Sequence, residues 1–154
     1  VNKQLIPINK ALRQNLRTYL SNFRMLTDAI NIKDAHIINI GVEFEIIPRP
    51  RFNSNEVILN CINRVKELLH IDIMQINQPI NISNIMTELD KVKGVQSVAK
   101  FEVINNFSLL EGYSGNAYDI PTAIRNNILY PSLDPSIFEV KFPDKDIKGK
   151  IVSK

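Results

Sequence analysis

The stretch that decides this fold reads IINIGVEFEII at residues 37–47 and runs on through two helical patterns to Ile104. Its first segment alternates strictly, with Ile38, Ile40, Val42, Phe44 and Ile46 on one side and Asn39, Gly41, Glu43 and Glu45 on the other. Side chains in a strand point alternately to opposite faces. The segment is therefore predicted to be a strand with one buried and one wet face, which is typical of a largely antiparallel sheet.

Two helices and a second strand follow within the same stretch. Residues 55–70 place Ile58, Ile62, Val65 and Leu69 on one stripe, flanked by Cys61 and Leu68. A short apolar segment at residues 80–82 precedes a second helix that Ser83 is predicted to cap, and Gly94 is placed to end it in a left-handed conformation. Residues 95–104 are apolar on both faces in part, which predicts an interior strand. The order predicts an α+β fold with two helices on one face of a small, mostly antiparallel sheet.

The flanking regions extend this core. Residues 9–26 predict an N-terminal helix with an apolar face made of Leu12, Leu16, Tyr19, Leu20 and Phe23. Periodicity fails over residues 106–136, which predicts an irregular arm. Residues 138–142 and 147–152 are predicted to be the two strands of a terminal β-hairpin. The expected division is 1–32 for the helix and linker, 33–105 for the core, and 106–154 for the arm and hairpin.

Composition excludes several classes of protein. The net charge of +3 is too small by itself to indicate a nucleic-acid partner, and the single Cys61 allows no internal disulfide. No apolar run approaches the roughly 18 residues of a membrane span, and residues 1–9 lack the apolar core of a signal peptide. Val1 stands where a complete chain has methionine, which suggests a piece of a longer protein.

The residues that could carry chemistry do not combine into a motif. His36 and His70 have no cysteine or carboxylate cluster at metal-ligand spacing, so no metal or cofactor is predicted. Glu43 and Glu45 share a strand face, as an acid and base pair could, but a solvated face explains them better. Cys61 lies in an apolar stripe and is predicted to be a small core residue. The glycines of residues 112–115 do not stand between a clear strand and a clear helix, so a phosphate-binding loop is disfavoured.

Three segments carry a resemblance to a known family. Residues 15–20 (NLRTYL), 23–34 (FRMLTDAINIKD) and 37–46 (IINIGVEFEI) resemble the C-terminal part of the large baseplate wedge proteins of T-even-type contractile-tailed bacteriophages. Residues 118–148 resemble the end of those proteins. In the middle, residues 80–83 (INIS) and 93–98 (KGVQSV) are similar to the wider baseplate J-like family, in which a Gly-Val pair and a strand follow a final helix.

The resemblance implies a structural virion subunit and no enzyme. It implies a homodimer or ring that joins other baseplate wedge proteins around the tail hub, located in the virion tail baseplate after assembly in the host cytoplasm, with no nucleic-acid or membrane partner. The apolar arm is expected to cross to a neighbouring subunit, because exposed apolar area marks interfaces. Its candidate interface residues are Tyr113, Tyr118, Ile120, Ile124, Leu129, Tyr130 and Leu133.

Two other functions stay open at this point. The chain could be a small α+β nucleic-acid-binding module that uses Arg13, Arg17, Arg24, Arg49 and Arg51 on its surface, in which case binding would depend on salt. It could also be an enzyme domain with Glu43 and Glu45 in one concave pocket.

Overall fold

One long strand organises the molecule. The structure, a computed structural model, describes residues 3–25 and 29–153. Strand β1 spans His36–Pro48, and the five apolar residues that alternate along it, Ile38, Ile40, Val42, Phe44 and Ile46, are all buried, as predicted. The opposite face differs from the prediction at its first half, because Asn39 and Gly41 are also buried, whereas Glu43 is exposed.

The longest neighbour of β1 is antiparallel to it. Strand β3, Val95–Asn105, pairs from Asn105 opposite Ile40 to Val95 opposite Pro48, with two register shifts that leave Ala99 and Gln96 unopposed. Among the described strands β3 pairs only with β1 and so lies at the edge of the sheet. The prediction of an interior strand was wrong, because no described strand pairs with the far side of β3, and Ile104 on its wet face is exposed.

The other edge of β1 holds two strands in series. Strand β6, Ser136–Glu139, pairs in parallel with residues 36–39 of β1, and β7, Ile147–Ile151, pairs in parallel with residues 42–46. The helical turn α5, Pro143–Asp146, separates them. The predicted terminal hairpin was therefore wrong: α5 does not reverse the chain, so β6 and β7 run in the same direction and each pairs with β1.

Two helices cover the apolar face of the sheet. Helix α2 spans Ser54–Leu68 and packs on β7, and α3 spans Ile82–Asp90 and packs on β3. The buried stripe of α2 is Val57, Cys61 and Val65, so it is rotated from the predicted one, in which Ile58 and Ile62 are only half-buried. Asn81, not Ser83, caps α3, since its side chain accepts a hydrogen bond from the amide of Asn84. Gly94 has φ +90°, the left-handed conformation predicted for it.

The predicted arm folds onto the same domain. Helix α4, Ile120–Ala123, leads into a hairpin of β4, Ile124–Arg125, and β5, Ile128–Leu129, and β5 also pairs with β2, Ile80–Asn81. Asn126 and Asn127 form the turn at φ 52° and 58°, the left-handed values that a type I′ turn requires. Three of the five ladders between described strands are antiparallel, and the fold is α+β, as predicted.

The N-terminal helix is shorter than predicted. Helix α1 spans Lys10–Ser21, whereas the sequence predicted residues 9–26, of which residue 26 lies outside the described part of the chain. Within residues 3–25 and 29–153 no helix is long and apolar enough to cross a membrane.

Candidate assembly surface

Helix α1 presents an apolar face to solvent. Asn9 caps it, because its side-chain oxygen accepts a hydrogen bond of 2.7 Å from the amide of Leu12. Over Lys10–Ser21, all of it described, not one residue is buried. The side chains at the apolar positions, which we call the α1 stripe, are all exposed, up to 61% for Tyr19 and 72% for Phe23. The stripe consists of Leu12, Leu16, Tyr19, Leu20 and Phe23. A helix normally buries such a stripe against its own core or against another protein.

The chain before α1 is anchored to the domain. The amide of Leu5 donates to the buried carboxylate of Glu139, and Asp34 accepts from the amide of Ile8 and from Arg13 at 2.7 Å. Beside these contacts lies an open groove of about 400 Å³, lined mainly by apolar side chains from residues 5–12, 32–37, Ile76 and Ile137. The start of α1 is therefore held in place, while its stripe stays accessible.

A buried polar cluster fastens the arm to β1. The amide nitrogen of Asn39 donates to Glu139 at 2.8 Å, and the side-chain oxygen of Asn39 accepts from the backbone amide of Ser114 at 2.8 Å. The Ser114 hydroxyl and the Asn116 side chain both donate to the carbonyl of Ile37, at 2.7 and 2.8 Å. Because Asn39 and Glu139 are almost completely buried, these bonds satisfy groups that would otherwise be costly to remove from water.

The candidate interface residues of the arm divide into two groups. Tyr113, Ile120 and Leu129 are buried in their own domain, so they are not available to a partner, and the expectation that the arm crosses to a neighbour was wrong for them. Tyr118 and Ile124 are half-buried. Tyr130 and Leu133 are exposed, Leu133 completely. The difference arises because polar contacts with β1 hold the arm down, and hydrophobicity alone did not reveal them.

Sequence reasoning missed a second apolar surface. The loop after β3 carries Phe107, Leu109 and Leu110 into solvent, and Leu110 is fully exposed. The available signal was the apolar pattern FSLL at residues 107–110, two residues before Gly112 and outside any periodic segment. The domain therefore exposes large apolar side chains at three places, which are this loop, the α1 stripe and Leu133. Exposed apolar area of this kind marks surfaces that bind other proteins.

Tyr113 and Asp146 form a polar pair under the arm. The Tyr113 hydroxyl donates to the carboxylate of Asp146, which also accepts from the amide of Phe142 at 3.2 Å. Burial, and then the hydrogen bond to Asp146, raise the pKa of Tyr113 well above its usual range. The pair links the arm to α5. Because α5 leads directly into β7, this contact also helps to fix the position at which β7 pairs with β1.

The wet face of the sheet carries charges in rows. Glu43 stands between Lys148 on β7 and Glu102 on β3, and Glu45 stands between Lys150 and Lys100. Lys100 lies 3.1 Å from Glu102, and this ion pair raises the pKa of Lys100. Glu43 and Glu45 do border one shallow pocket of about 290 Å³, but lysines surround them on an open sheet surface. A solvated face accounts for both carboxylates.

The remaining candidate residues have ordinary structural positions. Cys61 is buried and burial raises its pKa to about 11, so the prediction of a core residue is confirmed. His36 is exposed at the start of β1, and the His70 ring accepts from the amide of Asp72. Among the residues described, no group of three or more histidine, cysteine or acidic side chains could hold a metal ion. Residues 112–115 follow a 3₁₀ turn within the arm and do not stand between a strand and a helix.

Arg13 and Arg49, both part of the nucleic-acid hypothesis, contact other parts of the domain. Arg13 pairs with Asp34, and the Nε of Arg49 donates to the carbonyl of Val95 at 3.1 Å. Arg17 is exposed on the polar side of α1, whereas Arg51 lies in the turn after β1 with φ 72°. These arginines therefore come from different elements.

Comparison with known protein families finds no family model that matches the chain, and comparison with curated protein sequences finds no match.

Proposed function

We propose that this chain is a structural subunit of a phage tail baseplate wedge, which self-associates and joins other wedge proteins around the tail hub. The observation that carries the proposal is the α1 stripe, an amphipathic helix face anchored at one end and exposed along its length. The resemblance of residues 15–46 and 118–148 to baseplate wedge proteins supports the same role. A domain that exposes this apolar helix face is suited to bind protein, not a small molecule.

The α1 stripe has the chemistry of a protein contact. The rings of Tyr19 and Phe23, which lies just beyond the end of α1, are 5.2 Å apart between centroids and tilted by 55°, and Tyr19 shares its helix face with Leu16 and Leu20. Aromatic and leucine side chains at helical spacing form the anchors by which a helix binds an apolar groove or a second helix. Charged and polar side chains cover the opposite side of α1, so contact with a partner would leave them in water.

The test is the mass of the full chain in solution. We expect size-exclusion chromatography with light scattering to show dimers and larger species at high micromolar concentration. Leu16→Glu combined with Leu20→Glu should reduce that association, because it places charges in the stripe without changing any buried residue.

A matched control adds the same charge on the other side of the helix. Gln14→Glu combined with Thr18→Glu lies opposite the stripe and should associate like the unmodified chain. An unmodified chain that remains monomeric at high micromolar concentration would contradict the proposal. Equal association in both double variants would show that the stripe is not the contact.

A further inference from the structure

Strand β3 leaves one complete edge unpaired. It is eleven residues long, and among the described strands only β1 pairs with it, so the backbone groups on its outer side have no strand partner. An edge of this length is a template for pairing with another chain, and proteins usually block such edges with charges. The edge of β3 carries two adjacent charges on its wet face, Lys100 and Glu102, whose side chains are 52% and 50% exposed.

These two charges are complementary to a second copy of the same strand. Antiparallel pairing across a two-fold axis perpendicular to the sheet keeps wet face beside wet face and puts one residue opposite itself. When that residue is Phe101, Lys100 lies opposite Glu102 of the copy, and Glu102 lies opposite Lys100 of the copy. Both cross-strand pairs then carry opposite charges, which stabilises directly opposed positions.

Neighbouring registers lack this complementarity. Shifting the axis to residue 100 or residue 102 places Lys100 opposite Lys100 or Glu102 opposite Glu102, and like charges directly opposite destabilise a sheet. The same two side chains would also oppose pairing with an unrelated strand that lacks the reciprocal pattern. Lys100 and Glu102 therefore disfavour pairing of this edge with other strands but favour pairing with a second copy of β3 in the register centred on Phe101.

The charge rows of the sheet extend across the same axis. One row reads Lys148, Glu43, Glu102 and would continue with Lys100 of the copy, so Glu102 would gain a cation on its open side. Phe101 faces inward, where its ring stacks on that of Phe44 at 6.3 Å between centroids, so the axis would pass beside a residue that packs against β1.

We infer that β3 pairs with β3 of a second copy, antiparallel and centred on Phe101, and that this pairing is the symmetric dimer contact of the protein. The inference rests on the proposed self-association and specifies one surface for it. In this arrangement the α1 stripe is a second, independent contact, which explains why the unmodified chain should form species larger than a dimer.

The experiment uses the full chain with Leu16→Glu and Leu20→Glu, so that only the β3 contact remains. Into this background K100E and E102K are introduced separately and together, with K93E as a control that changes net charge as K100E does at an exposed site away from the edge. Sedimentation velocity measures the mass of each chain, and circular dichroism checks that each is folded.

We expect the background chain to be a dimer and K93E to leave it unchanged. K100E and E102K should each raise the dimer dissociation constant about tenfold or more, because each makes two like-charge pairs. An equimolar mixture of the two single variants should recover dimers, since each supplies the charge that the other lacks. The combined variant should also dimerise, because exchanging the two charges preserves complementarity.

Three results would overturn the inference. A monomeric background chain would do so while leaving association through α1 intact. Dimers that persist equally in K100E and E102K would place the symmetric contact elsewhere. Failure of the folded single variants to recover dimers on mixing would show that complementarity across the axis does not control association.

Discussion

Glu139 shows how a single buried residue connects distant parts of the chain. Its carboxylate accepts hydrogen bonds from Asn39 on β1 and from the amide of Leu5 in the segment that anchors α1. Glu139 is 1% exposed and its contact with Asn39 is buried, so the Asn39 amide could not turn to water if the carboxylate were removed. The position of the N-terminal segment therefore depends on a polar contact in the interior.

The first prediction at this scale is that Glu139→Ala lowers the free energy of unfolding by about 2–4 kcal/mol, because one buried donor and one part-buried donor lose their acceptor. Urea unfolding measures the change. The matched control is Glu43→Gln combined with Glu45→Gln, on the wet face of the same sheet, which should change stability by less than about 0.5 kcal/mol. If both sets of substitutions changed the free energy of unfolding equally, the claim that Glu139 is buried and Glu43 and Glu45 are solvated would be wrong.

At the scale of elements, the arm belongs to the domain. Tyr113, Ile120 and Leu129 are buried, and burying three such side chains contributes roughly 5–9 kcal/mol. That is comparable with the total stability of about 5–15 kcal/mol of an ordinary domain. The hydrogen bonds from Ser114 and Asn116 to β1 contribute further to the stability that the arm gives the domain.

We therefore predict that replacing residues 113–135 by a short Gly/Ser bridge abolishes cooperative folding. Near-ultraviolet circular dichroism and urea unfolding measure the loss. Tyr130→Ser combined with Leu133→Ser changes only exposed residues of the same segment and should leave folding intact. A deletion variant that still unfolds cooperatively would show that the domain folds without the arm, as expected for an arm that crosses to a neighbouring subunit.

The periodicity of the sequence predicted where β1 and the main helices lie, but not which strands pair with each other. The two-residue alternation of β1 was correct because its alternating apolar side chains are all buried in the hydrophobic core. The parallel pairing of β6 and β7 could not be read in this way, because a strand pattern does not reveal its partner or direction. The hairpin at Asn126 and Asn127 was missed because its strands have only two residues each.

The same limit applies to the candidate surface. The apolar spacing of α1 was visible in the sequence, but its exposure was not, since an amphipathic pattern looks the same whether the face is covered or open. Tyr113 and Leu129 were expected at an interface but are buried, since their apolar character also looks the same whether they face a partner or their own domain. The groups that hold the arm down are Asn39, Ser114 and Asn116, whose pairing depends on contacts between residues far apart in the chain.

For the whole molecule, one buried thiol and two buried or half-buried tyrosine hydroxyls make stability depend on pH. Burial raises the pKa of Cys61 to about 11 from 9.0, and burial also raises the pKa of Tyr113 and of Tyr118 above the usual 10.0. Each group holds its proton more tightly when the protein is folded than when it is unfolded. Their contribution to stability is therefore complete below about pH 9 and is lost as the pH rises through the folded pKa values.

The last prediction is that the free energy of unfolding falls between pH 9 and pH 11, by up to about 1.4 kcal/mol per pH unit for each proton that only the unfolded chain has released. Cys61 should begin the decline and the two tyrosines should steepen it above pH 10, because that is the order of their unfolded pKa values. Urea unfolding at a series of pH values measures the slope. Cys61→Ala should flatten it from pH 9 and Tyr113→Phe from pH 10, although both variants start from a lower stability. Tyr19→Phe, which alters an exposed tyrosine of α1, should keep the full slope. If all three variants declined in parallel with the unmodified chain, the alkaline sensitivity would come from groups other than the buried ones, and the linkage between burial and protonation would be wrong.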